Sequence, residues 1–337
     1  MRQTLRFGIG LLTLVLWIAP VAAEAETIYA VTSTNLLLTF DSATPGTTTS
    51  VAITGLQAGE NVLGIDLRPA TGQLYALGST SRLYTINPVT GAATQVGAGP
   101  FTPALSGTSF GFDFNPTVDR IRVVSDADQN LRLNPDTGAV AATDTNLAYA
   151  AGDPNQGVNP NVVALAYTSN FAGATSTTLF GIDSNLDIGL IQGSSGGTPI
   201  SPNTGQLFSA LPLGVDTADA AGFDFSGVTG TGYVSLTPPT GAPSALYTVG
   251  ATAVDLVGTI GTGFVVVDIT AGVQGPTPTP TPTVTATATT TGSPTATSTA
   301  QGGGAAPVPT LSGWALAGLG LFLGSLGFFL ARRGPSG

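Results

Sequence analysis

The chain has no cysteine and no histidine, and its nine basic residues are all arginine. Without cysteine there are no disulfides and no thiolate zinc sites. Without histidine there are no Ser-His-Asp triads and no Cys-His dyads. Any catalysis would have to rest on carboxylates, hydroxyls or arginine. Charge is scarce too. Only 8% of the 337 residues are charged, and residues 27–270 hold 17 Asp and Glu against 5 Arg, a net of −12. Such a surface repels a polyphosphate backbone and argues against nucleic acid as a partner. A cation, a glycan or another protein is compatible with it.

What the chain does have is 46 Gly, 24 Pro and a 42% apolar share, the composition of many short strands joined by tight turns. Its length admits two domains or one large all-β domain.

The two ends read as an address. Arg2 and Arg6 precede an apolar run over residues 7–19, and small residues at Val21, Ala23 and Ala25 offer small-x-small cleavage sites. Residues 1–25 therefore read as a signal peptide for signal peptidase; the alternative is an uncleaved anchor, for which the run is short. Residues 273–307 are almost wholly Thr, Pro, Ala, Ser and Gly. Alternating Pro prevents helix and central strand and favours an extended, disordered stalk, either a plain spacer or a carrier of O-glycans. Within residues 308–337, residues 315–331 form an uncharged stretch of 17, at the lower edge of a transmembrane helix, closed by Arg332 and Arg333.

Ahead of that stretch stand Pro309, Thr310, Leu311 and Trp314. This tail resembles the I-P-T-L-x-x-W-G signals related to P-E-P tails, with Val308 and Ala315 departing from the pattern. The resemblance implies a bacterial protein processed by an exosortase-like transpeptidase, with its body outside the cytoplasmic membrane. A simple single-pass anchor is the alternative.

Between the ends, residues 26–272 repeat. Gly111-Phe112-Asp113-Phe114-Asn115-Pro116 returns as Gly64-Ile65-Asp66-Leu67-Arg68-Pro69 and as Gly222-Phe223-Asp224-Phe225, with a weaker copy around Asp268. Each copy opens four short strands separated by turn residues. Asn87-Pro88-Val89-Thr90-Gly91 and Asn134-Pro135-Asp136-Thr137-Gly138 occupy matching turns. A third unit starts at Val162, with Ala166 where the others have Asp. One strand is left over at the end of this region and three at its start. The spacing predicts an all-β, five-bladed β-propeller whose last blade closes as 1 + 3 strands. An open repeat or a six-bladed ring is the alternative. The repeats are similar to an uncharacterised family of secreted bacterial domains of unknown function. The similar phrases are residues 111–116, 133–138 and 157–167. That resemblance transfers no activity.

Three places could carry chemistry. Asp66, Asp113, Asp224 and Asp268 would converge if they face the central channel. They could bind a cation or supply an acid–base pair, but a motif in four of five blades is first of all architecture. The polar loop over residues 152–161 has no counterpart elsewhere. Its Asp153, Asn155, Asn159 and Asn161 suit sugar or peptide recognition, or else tie down a long connection. Residues 126–130 imitate the start of a calcium loop but lack its Gly and Glu and fall where a hairpin turn is needed. Arg120 and Arg122 share a strand face. Surface ion pairs with Asp119 and Asp126 explain them most simply, with an anionic ligand as the alternative.

The leading expectation is an exported, surface-anchored binding or structural module of the envelope, without cofactor. A carboxylate-dependent glycan hydrolase and a calcium-stabilised adhesin are the alternatives.

Overall fold

The computed structural model describes residues 25–272 apart from Ala242. The expected signal peptide, stalk and transmembrane segment, and the tail residues Pro309, Thr310, Leu311, Trp314, Arg332 and Arg333, lie outside the described residues. Among those described, no helix is long and apolar enough to cross a membrane.

The strands form five small sheets. The first three, β1 (Thr27–Thr32), β2 (Leu36–Asp41) and β3 (Thr48–Ala52), wait for a fourth from the far end of the domain. The first complete blade is β4 (Val62–Leu67), β5 (Leu74–Gly78), β6 (Arg82–Ile86) and β7 (Ala93–Val96). The second is β8 (Phe110–Asn115), β9 (Arg120–Ser125), β10 (Asn130–Leu133) and β11 (Val140–Thr143). The third adds a two-residue strand, β12 (Ala148–Tyr149), to β13 (Val162–Tyr167), β14 (Leu179–Asp183), β15 (Ile188–Gln192) and β16 (Gln206–Pro212). The fourth is β17 (Ala221–Phe225), β18 (Gly232–Leu236), β19 (Ala245–Val249) and β20 (Val254–Thr259). Finally β21 (Val266–Ala271) pairs antiparallel with β1, giving the order β21-β1-β2-β3. The fold is a five-bladed propeller closed as 1 + 3.

The repeated Asn-Pro-x-Thr-Gly turn works the same way in both blades. The Asn87 side chain accepts from the N–H groups of Val89 and Thr90, and that of Asn134 accepts from Asp136 and Thr137. Gly91 and Gly138 then take φ of 72° and 67°, which only Gly adopts without strain.

Glycine in the marker phrase has another cause. A Cβ on Gly64 would stand 2.6 Å from Cβ of Phe112, one on Gly111 2.8 Å from the Leu165 nitrogen, and one on Gly222 2.5 Å from the Ile269 nitrogen. Each of these lies on the inner strand of the following blade. Glycine lets neighbouring inner strands approach to backbone distance around the channel.

The core sits between the blades. Each apolar cluster joins two neighbours: Tyr75, Leu77 and Leu83 of the first blade, for example, pack on Phe112, Phe114 and Ile121 of the second. Tyr75 meets Phe114 edge-on at 5.1 Å. Polar groups stitch the same seams. Arg68 crosses from the first blade to Asp119 and Asp136 of the second. Glu26, ahead of β1, reaches Ser226, Thr229 and Tyr233 of the fourth.

Candidate functional site

The marker aspartates stand at equivalent places on four of the five inner strands, opposite Tyr75, Arg122 and Tyr233 on their partner strands in three of them. Oxygens of Asp66, Asp113 and Asp224 lie within 4.8 Å of one another; Asp268 stands outside that group. All four are 1–3% exposed.

Each carboxylate reaches forward to the next blade. Asp66 accepts from the N–H of Phe114 at 2.8 Å and Asp113 from Tyr167 at 3.0 Å. Asp224 accepts from Ala271 at 2.7 Å, and Asp268 from Ile65 at 2.9 Å. Asp66 and Asp268 also accept from Leu67 and Ile269, their own following residues. The repeated Asp is a clamp between inner strands.

At Ala166 the series breaks. Asn170, fully buried in the β13–β14 connection, fills in by donating Nδ2 to Asp224 Oδ1 at 3.0 Å. Thr270 places one hydroxyl between Asp66 and Asp224, 2.9 and 3.0 Å away. A hydroxyl has one proton, so it donates to one of them at a time.

Burial pushes all four carboxyls above the usual range: Asp66 to about 7, and Asp113, Asp224 and Asp268 well above, with the charges of their neighbours adding to the effect. Asp66, Asp113 and Asp224 could together hold a cation through oxygen. Their oxygens already accept from Leu67, Phe114, Tyr167, Asn170, Ala271 and Thr270, so the trio falls short of the six to eight free oxygen ligands calcium prefers. The hydrolase alternative needs two carboxylates facing an open cleft. Buried and bonded to main-chain N–H groups, the ring aspartates provide no accessible pair.

The loop over residues 152–161 is tied down by its own polar groups. Asp153 accepts from the N–H of Asn155 and from the N–H and Oγ of Ser209, and Asn155 Nδ2 donates to Ser209 Oγ. Asn161 Nδ2 reaches Ser184 and Asp219, while Asn159 Nδ2 donates to the carbonyl of Pro160, beside it. The structure does not bring these four residues and the ring aspartates together.

Of residues 126–130, the first four form the β9–β10 turn and Asn130 opens β10. Asp126 accepts from Thr108, and Asp128 takes φ of 63°.

The two arginines depart from the expected surface ion pairs. Asp119 belongs to Arg68 and Asp126 to Thr108. Arg122 is 2% exposed and bonds Tyr167, Asn130, Asn203 and Asp144. Its cross-strand neighbour Arg132 takes both oxygens of Asp144 at 2.8 and 2.9 Å. The carboxylate that answers these arginines lies 12 and 22 residues along the chain, beyond local reading.

Compared with known proteins, residues 36–270 match the family described as a domain of unknown function (DUF4394), and residues 306–333 match an IPTL-CTERM motif. No curated protein matches. Among solved structures, a structural-genomics protein of unknown function from Bacteroides thetaiotaomicron is 15% identical at a TM-score of 0.39, covering 68% of this chain and 56% of its own. A putative 6-phosphogluconolactonase from Bacteroides uniformis is 16% identical at 0.38, covering 72% and 84%. PorZ, a surface component of the type-IX secretion system of Porphyromonas gingivalis, is 12% identical at 0.35, covering 72% and 29%. The chain thus spans just over half the length of the first of these.

Proposed function

The chain belongs to the family of the domain of unknown function DUF4394, and from that premise we propose that it is an exported propeller, held at the bacterial envelope as a binding module. The observation that carries this reading is the sorting motif over residues 306–333, separated from the propeller by the Thr/Pro-rich stretch. The basic, apolar and small-residue pattern at the start of the chain supports export. Signal peptidase and an exosortase-like transpeptidase are the processing partners this implies.

The chemistry supports binding more than catalysis. There is no Cys or His, and the converging carboxylates are buried in inter-blade clamps. A glycan or a protein of the envelope is the class of ligand.

Cell fractionation with mass spectrometry of the mature protein tests this. The expected result is protein in the envelope fraction whose C-terminus lies upstream of Arg332. An intact Arg332-Arg333 end would defeat the sorting assignment, and protein confined to the cytoplasm would defeat the whole reading.

A further inference from the structure

Three of the five arginines among the described residues line one cleft of ≈ 250 Å³ between the second and third blades. Arg120 and Arg122 sit two apart on β9, and Arg132 stands directly across β10 from Arg122. Two like charges opposed across a ladder repel each other. Asp144 answers both, and Arg122 is further fixed by the Tyr167 hydroxyl at 2.9 Å. Arg120 is different. It donates Nη1 to the main-chain carbonyl of Asp119 and forms no ion pair among the described residues.

Among the described residues, no Asp or Glu lines the cleft. Three guanidinium groups against the single carboxylate of Asp144 behind them leave a formal local charge of +2, inside a domain whose formal net charge is −12. The remaining wall combines hydroxyls and amides, with Thr117, Ser176, Ser201 and Asn203 among them, and a smaller share from Val118, Pro202 and two glycines.

We propose that this cleft binds a carboxylate-bearing sugar, one hexuronic acid unit of an anionic glycan. A guanidinium fork matches a carboxylate with two parallel hydrogen bonds. The volume equals on the order of eight waters at about 30 Å³ each, more than a bare anion fills. The hydroxyl wall suits the ring hydroxyls of a sugar. The acidic surface outside the cleft repels densely charged polymers, which favours a ligand with one negative charge per unit. The proposal rests on the binding-module reading and names its ligand class. It is tested in solution, so its failure is separate from a failure of the envelope assignment.

Calorimetry on the purified full-length chain, with D-galacturonate, D-galactose and inorganic phosphate as probes, decides it. Galacturonate is expected to bind at roughly millimolar Kd, at least about tenfold tighter than either galactose or phosphate, and to weaken as salt rises from 50 to 500 mM, roughly the range that screens an exposed ion pair. Arg120→Gln is expected to weaken it about tenfold, the effect of losing one charged contact, with no change in melting temperature. Ser176→Val, at an exposed residue, gives a second readout independent of folding, with an expected loss of about threefold. Equal binding of galactose, or unchanged affinity in both variants, overturns the site. Phosphate binding as tightly as galacturonate overturns the sugar assignment.

Discussion

Asn170 donates Nδ2 to Asp224 Oδ1 at 3.0 Å, at the blade whose own inner strand carries Ala166 in place of aspartate. The clamp series is therefore broken in sequence and mended in space. Asn170→Ala removes the donor from a buried carboxyl and should cost about 1–3 kcal/mol. Asn170→Asp should cost more at pH 8 than at pH 5, because it sets a second acid beside Asp224. Urea denaturation at both pH values measures the difference. Equal losses would show that the contact carries no electrostatic weight.

The channel should make the propeller more stable in mild acid than at alkaline pH. Asp66 holds its proton more readily when folded, with burial lifting it to about 7. Its contribution is complete below about pH 4, where the unfolded chain is protonated too, and is lost as pH rises through about 7. The change is on the order of 1–4 kcal/mol. Glu60 works the other way. Burial opposes its charge, but donors from Thr80 and Tyr84 outweigh that and hold it below its ordinary value, so its contribution fades as pH falls past about 4.5. Thermal melts from pH 4 to 9 should peak near pH 5, and Asp66→Asn should flatten the alkaline side. A melting temperature that climbs steadily to pH 8 would contradict this.

Calcium should leave the melt where it is. The oxygens of Asp66 and Asp224 are already taken by main-chain, Thr270 and Asn170 donors. Scanning calorimetry in millimolar calcium and in EDTA should superpose. A rise of more than about 4 °C with calcium, roughly 1 kcal/mol or more for a domain of this size, would revive the adhesin reading.

Two glycines separate steric need from backbone need. Gly222→Ala would set a methyl 2.5 Å from the Ile269 nitrogen and should cost about 3 kcal/mol or more. Gly59→Ala meets nothing within 4 Å but sits at φ +77°, and should cost about 1–2 kcal/mol. Equilibrium unfolding of both variants checks the order, and the reverse order would refute the close-approach account.

Much of this architecture was legible because the repeat writes it four times. The marker phrase, the Asn-Pro-x-Thr-Gly turns and the leftover strands count the blades and their closure. What was hidden is what lies across blades. β12 is two residues long and pairs parallel with β16, more than fifty residues on, so no local pattern announces it. Asn170 carries no motif at all. Arg122 looked like a surface residue because its nearest acids in sequence are Asp119 and Asp126, whereas the fold sends it inward to Asp144. The cleft needed both blades at once.

The seam between β1 and β21 has a mechanical side. Residue 272, where the chain leaves the propeller, directly follows β21, and β21 is held to β1 from Ile28↔Ala271 to Thr32↔Val266. A pull along the axis of β21 would load those hydrogen bonds in shear, several at a time, instead of peeling them one by one. The bonds that close the ring would then share such a load with the bond from the Gly227 N–H to the Gly272 carbonyl.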